Sequence, residues 1–329
     1  MRIPLSILDL APILRGQTVS DSIAASVALA QRAEQHGYRR VWYAEHHNMP
    51  TIASSATSVL IAHVGAHTSE IRLGSGGVML PNHSPLTIAE QFGTLEAMYP
   101  GRIDLGLGRA PGSDQNTTYA LRRDPAASES FPQDVLELQA YLAGKTRVPG
   151  VDAIPGKGSN VPLYVLGSSM FGASLAAALG LPYAFASHFA PQALEAAVAA
   201  YRRDFRASEQ LDQPYVIAGV NVVAADTLSA AQENLQAARR TMATGLFGRG
   251  RTFTDEEADV LLSQGAGQHV DSMFTHTAVG TPDDVREHLE RFRALADADE
   301  LIVAHQSPTP EGRLRSVELT AQAMESVAA

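Results

Sequence analysis

One feature restricts this chain more than any other: a short apolar run, a turn and an amphipathic stretch follow each other, and the unit then recurs along 329 residues. Apolar runs at Ile3–Asp9, Val41–Glu45, Ile71–Val78 and Arg102–Gly108 read as strands. So do Leu163–Gly167, Ala184–Ser187, Tyr215–Ala224 and Leu301–Ala304. Between them lie helical patterns. The first opens near Thr18 and Ser20 and stops at Gly37; others are Ser55–His67, Pro85–Met98, Pro132–Ala143, Ala193–Ala207 and Leu228–Thr244. Ala173–Leu179 lies inside a further helix, and the last is Leu314–Val327. Thr281-Pro282-Asp283-Asp284 supplies an N-cap, a first-turn proline and carboxylates against the positive helix end. Strands alternating with helices imply parallel pairing through helical crossovers. An open doubly wound sheet would carry a glycine-rich phosphate loop after its first strand. Here that turn is Leu10-Ala11-Pro12-Ile13-Leu14-Arg15-Gly16, which has no such pattern. The expected fold is therefore a closed (β/α)₈ TIM barrel, one domain over residues 1–329, with no internal repeat.

Two stretches break the rhythm. Gly112–Ser130 is polar without clear periodicity, and Gly245–Asp271 is rich in glycine; both read as loops over one end of the barrel. Composition narrows the partners. The formal charge is −10 and no dense basic tract occurs, which argues against nucleic acid. The absence of cysteine excludes disulfides, thiolate metal sites and a cysteine nucleophile. At the N-terminus, Asp9, Pro12 and Arg15 interrupt any signal-peptide core. No apolar run reaches the roughly 18 to 20 residues that span a bilayer. A cytoplasmic protein away from the membrane is expected.

Barrel enzymes place their chemistry at the C-terminal ends of the strands. The polar residues there are Asp9, Glu45, His46, His47, Arg109, Ser168, Ser169, His188, Asn221 and His305. Glu45-His46-His47 can hold a proton-transfer group, or simply cap the barrel. A metal site is disfavoured because successive strand residues point to opposite faces. Gly74-Ser75-Gly76-Gly77-Val78 places glycine inside a strand, which means close approach by a flat ligand or a tight barrel corner. Arg109, with Ser168 and Ser169 at the next helix start, suits a phosphate; an ion pair at the barrel mouth is the alternative.

In this order, Val41-Trp42-Tyr43-Ala44-Glu45-His46-His47, Gly74–Pro81, Arg102–Arg109, Tyr164–Ser169 and Val279-Gly280-Thr281-Pro282 resemble the luciferase-like flavin monooxygenases. Asn82-His83-Ser84-Pro85-Leu86 and Gly108-Arg109-Ala110-Pro111-Gly112 are closest to the alkanal monooxygenase-like branch. The resemblance implies a barrel that takes reduced FMN from a separate flavin reductase and reacts it with O₂ on a small organic substrate. It implies His46 as the catalytic histidine, tuned by Glu45 or His47. It places Gly76-Gly77 against the flavin ring, where the family often has a cis peptide, and Arg109, Ser168 and Ser169 at the phosphate. The chain departs from bacterial luciferase at Ser168, where that protein has a carboxylate, and at Gly108, where it has a cysteine; the departures argue against light emission. The resemblance also implies that Gly245–Asp271 covers the active site, and that a homodimer forms through helices Ser55–His67 and Pro85–Met98. Two other readings share the motifs: hydride transfer with the deazaflavin F420, and flavin binding without catalysis. No motif encodes the substrate.

Overall fold

The computed structural model describes residues 3–110, 114–248, 251 and 253–325. Its strands are β1 (Leu5–Asp9), β2 (Arg40–Tyr43), β3 (Arg72–Met79), β4 (Ile103–Gly108), β5 (Leu163–Gly167), β6 (Tyr183–Phe185), β7 (Val216–Ala224), β8 (Thr277–Gly280) and β9 (Glu300–His305). All pairings between them are parallel. The order β6-β5-β4-β3-β2-β1-β9-β7 closes through β6 against β7 into a ring of eight strands. This is the expected TIM barrel. The long strand β7 explains the ninth strand. Its first residues pair with β6 and its last four, Asn221–Ala224, pair with β8 along the same edge. β8 therefore extends the sheet beyond the ring and is not one of its staves.

Alternation of side chains divides the core in two. Ile7, Val41, Tyr43, Leu73 and Val303 belong to a large apolar cluster between strands and helices. Leu8, Trp42, Ala44, Tyr164, Ala184, Ile217 and Ile302 form a separate cluster that fills the ring. Below it, toward the strand N-termini, sits a buried ionic group. Arg40 donates to Asp104 at 2.7 Å and pairs with Glu300 at 2.9 Å, and all three are at most 1% exposed. Tyr164 accepts a hydrogen bond from Arg40 and Tyr215 donates one to Glu300, both at 2.8 Å. Burial opposes the charge on Arg40, but the carboxylates of Asp104 and Glu300 outweigh it.

The helix caps follow the sequence. Thr18 and Asp21 form a reciprocal capping box for helix Val19–Gln35, and Thr281 with Asp284 does the same for helix Pro282–Ala296. Both presumed loops contain helices. Gln115–Ala120 lies in the first, capped by Asp114, and Asp255–Ser263 and Gly265–Met273 lie in the second. Gly112 and Gly250 of these segments fall outside the described residues. Thr254 and Glu257 make a capping box that was legible as a helix start. The glycine count hid it. Arg240 binds Asp259 at 2.6 Å and fastens the second insertion to helix Leu228–Phe247. No helix among the described residues is long and apolar enough to cross a membrane.

Candidate active site

The strand C-termini sort the ten polar residues into three groups. Asp9 and His305 face outward, into the helical layer. Asp9 accepts hydrogen bonds from Ser26 at 2.6 Å and Arg313 at 3.0 Å, tying the first and last helices to β1. His305 Nδ1 meets Ser316 Oγ at 2.8 Å, and burial pushes its pKa down to about 3. These two are framework.

Glu45 and His47 form a second group. The buried Glu45 carboxylate accepts from His47 Nε2 at 2.8 Å, His83 Nε2 at 2.9 Å, Asn82 Nδ2 at 3.2 Å and the Met79 amide at 2.9 Å. Burial alone would raise its pKa, yet the bonds and charge of His83, with His47 and Met79, hold it below the usual value. Glu45 thus binds the end of β2 to the turn after β3. Its amide also donates to the Gly77 carbonyl at 3.2 Å. None of the carboxylate's bonds goes to His46.

The third group lines the mouth. His46 is half-buried, and among the described residues its Nδ1 is buried without a hydrogen-bond partner. Desolvation lowers its pKa, against the opposing charge of Glu45 and with the help of His47. His188 Nδ1 is likewise buried and unpartnered among the described residues. Burial, with a smaller contribution from a proton on His46, lowers the His188 pKa to about 4. The two rings therefore lie close enough to influence each other. Asn221 donates to the His188 carbonyl at 2.6 Å and accepts from Gln306 at 3.1 Å. His188 and Asn221 stood among the strand-end residues, but nothing in their spacing singled them out. Gln306 carried no signal at all.

Gly76 and Gly77 lie on β3, joined by a cis peptide bond, where the β3–β4 register shifts between Ser75 and Val78. A side chain at Gly76 would meet Leu8 at 2.8 Å and Trp42 at 2.9 Å, and one at Gly77 would meet the Gly106 carbonyl at 2.7 Å. Interior packing by itself therefore requires both glycines, as the tight-corner reading holds. Beside them, Arg109 leaves β4 and its guanidinium covers the Phe171 ring at 4.0 Å from the centroid. Phe171 belongs to the first turn of helix Met170–Leu179, whose N-cap is Ser169. The Ser169 side chain makes no capping bond, so first-turn amides remain for an anion. Arg109 takes part in no salt bridge with any described carboxylate.

The mouth thus offers a cation and an open helix end on one side, and two unpartnered imidazoles above the apolar barrel filling. Such a set fits a flat ring with an anionic tail.

Comparison with known proteins identifies the family. The model of the luciferase-like monooxygenase family matches residues 4–299. A Bacillus subtilis protein, YvbT, is 46% identical, with 96% of this chain and 95% of that one covered. A luciferase-like monooxygenase of Escherichia coli K12 is 45% identical, covering 99% and 98%. The N-acetyl-S-alkylcysteine monooxygenase of B. subtilis is 43% identical over 56% of this chain and 57% of its own length. Among solved structures, apo-MsnO8 superposes with a TM-score of 0.90 at 35% identity, covering 98% of both chains. Two more distant structures share the fold. They are the FMN-bound oxygenating constituent of 3,6-diketocamphane monooxygenase from Pseudomonas putida, with a TM-score of 0.74, 16% identity and coverage of 98% and 97%, and an F420-dependent secondary alcohol dehydrogenase, with 0.71, 17% and coverage of 98% and 99%. With the family model spanning most of the chain and full-length relatives above 40% identity, this protein belongs to the luciferase-like monooxygenase family and is an oxidoreductase.

Proposed function

We propose that the protein is a two-component monooxygenase that uses reduced FMN and O₂ on a small organic substrate, with the flavin supplied by a separate reductase. The observation that carries this reading is Arg109 packed on Phe171 at the uncapped start of helix Met170–Leu179. A guanidinium and free helix amides together bind a phosphate well. Ser168 and Ser169 lie at the same helix start and complete the phosphate end.

Reduced FMN, when bound, supplies the reaction with O₂. The chain's part is to hold the cofactor, keep water away and move protons. Gly76 and Gly77 form the wall for the ring. His46 is the proton carrier: desolvation lowers its pKa, and its Nδ1 is not committed to any group among the described residues. Glu45 and His47 act on His46 through charge, while their hydrogen bonds hold the β2 end in place. The insertion with helices Asp255–Ser263 and Gly265–Met273 acts as the cover. Arg15, in the turn after β1, reaches Asp255 at 2.9 Å and joins that cover to the mouth. The partners in this reading are a cytoplasmic reductase and a second copy of the chain. The copies would meet through helices Thr57–Gly65 and Pro85–Met98, which expose Val59 and Met98.

Anaerobic titration with reduced FMN, reduced riboflavin and reduced F420, followed by admission of O₂, tests the reading. Tighter binding of FMN than of riboflavin, and a changed rate of flavin reoxidation in the complex, are expected. Preference for F420 with no effect on O₂ uptake would move the protein to the hydride-transfer branch.

A further inference from the structure

The site described so far uses His46 and leaves a second, half-buried imidazole without a task. His188 follows β6, on the wall opposite β2. Its Nδ1 lies 2.4 Å from the point that a side chain at Gly219 would occupy, so the ring rests directly on the β7 backbone. Ser187 Oγ donates to the Gly219 carbonyl at 2.6 Å and locks the residue before it to β7. Asn221 and Gln306 hold its own carbonyl from the other side. The Phe189 ring stands edge-on at 5.0 Å. Backbone, β7 and β9 thus fix the position of this imidazole, while Nδ1, among the described residues, has no partner. A buried polar atom without a partner is costly. Here the orphaned atom is packed over Gly219, on a rigidly held ring at the end of the barrel that takes the ligand.

We propose that His188 is a binding residue for the ring portion of the cofactor, hydrogen-bonding a carbonyl or N–H on the ring edge from the wall opposite His46. This rests on the reading of the mouth as a flavin site. Its neutrality suits the role, because burial keeps the ring uncharged at pH 7. A neutral imidazole has one donor and one acceptor nitrogen and does not compete with His46 for the proton. Gly219 is then required to leave room for the imidazole.

The test is anaerobic titration of wild type, His188→Phe, His188→Gln and Gly219→Ala with reduced FMN and with reduced riboflavin, alongside thermal melting. His188→Phe fills the space without a hydrogen bond. It is expected to weaken both flavins equally, by about 3- to 10-fold, the scale of one neutral hydrogen bond. His188→Gln should recover most of that loss. Gly219→Ala, which displaces the imidazole, should reproduce it at a near-normal melting temperature, and decides the matter should His188→Phe not fold. Wild-type binding of both flavins by His188→Phe overturns the proposal. So does a loss confined to FMN, which places His188 at the phosphate, or no recovery with glutamine. If wild type itself binds neither flavin, the flavin reading fails and takes this one with it; normal wild-type binding with unaffected variants sinks this one alone.

Discussion

The two ends of the barrel are built from the same strands, yet the polar groups at one end are buried and paired while those at the other are half-buried or exposed. At the N-terminal end Arg40, Asp104, Glu300, Tyr164 and Tyr215 pair with one another in one ionic cluster. At the C-terminal end His46 Nδ1 and His188 Nδ1 have no partner among the described residues, and Arg109 has only an aromatic face. A closed set of charges holds a fold in register. An open set waits for another molecule. The difference marks the C-terminal mouth as the end where an imidazole and a guanidinium are left to meet a ligand.

Four experiments break or sharpen that contrast. The largest effect is expected at His46. His46→Ala should fold and bind flavin nearly as wild type, while turnover falls about 10²- to 10⁴-fold, the usual scale for a lost general acid or base. Stopped-flow absorbance, following return of the oxidised flavin spectrum after O₂ is mixed in, checks it without a known substrate. Wild-type rates with a lowered melting point would make His46 part of the framework.

Arg40→Met attacks the other end. It removes the cation that Asp104 and Glu300 share, leaving Asp104 to Arg72 and Trp42 and Glu300 to Arg39, Ser6 and Tyr215, and should destabilise the protein by about 3 kcal/mol, the low end of the cost of breaking a buried pair. Urea denaturation measures this. A loss under 1 kcal/mol would mean that water or neighbouring tyrosines compensate, and that the closed end is less closed than its distances suggest.

Arg109→Ala should weaken reduced FMN by about 1.5 to 3 kcal/mol, as for a charge-assisted hydrogen bond. Riboflavin, which lacks the phosphate, should be much less affected. Equal losses for both would remove Arg109 from the phosphate.

The smallest effect is a slope. The His305 pKa is about 3 in the folded protein, well below the ordinary value near 6.5. A depressed histidine is protonated more readily in the unfolded chain. Its contribution is therefore complete above about pH 6.5 and is lost as pH falls toward 3, by roughly 1.4 kcal/mol per unit. Replacing His305 by asparagine should flatten the stability profile between pH 6.5 and 5. Ligand binding at the mouth should leave the His305 part unchanged, since that ring faces the helices. An unchanged slope in the variant would assign the pH dependence to the mouth histidines.

The alternation of runs and amphipathic stretches was enough to specify the barrel, because each strand hydrophobic on both faces needs a helix outside and a filled ring inside. Strand ends were legible to within two residues. The caps at Thr18 and Thr281 were visible, because a cap is a local bond between neighbours in the chain. The order of motifs likewise pointed to the family. β8 could not be read, since its partner, the far end of β7, is more than 50 residues away.

What the sequence could not give was the side of the wall on which each strand-end residue falls. Asp9, Glu45, His46, His188 and His305 all sit where barrels keep their chemistry. Side chains alternate along a strand, so the pairing register alone sends Asp9 and His305 into the helices and His188 over Gly219. The same holds for Arg40, one residue ahead of the strand start expected at Val41. Its burial is decided by β4 and β9, which bring Asp104 and Glu300 against it. Burial, partners and proton affinity depend on groups that are distant in the chain, so only the closed ring decides them.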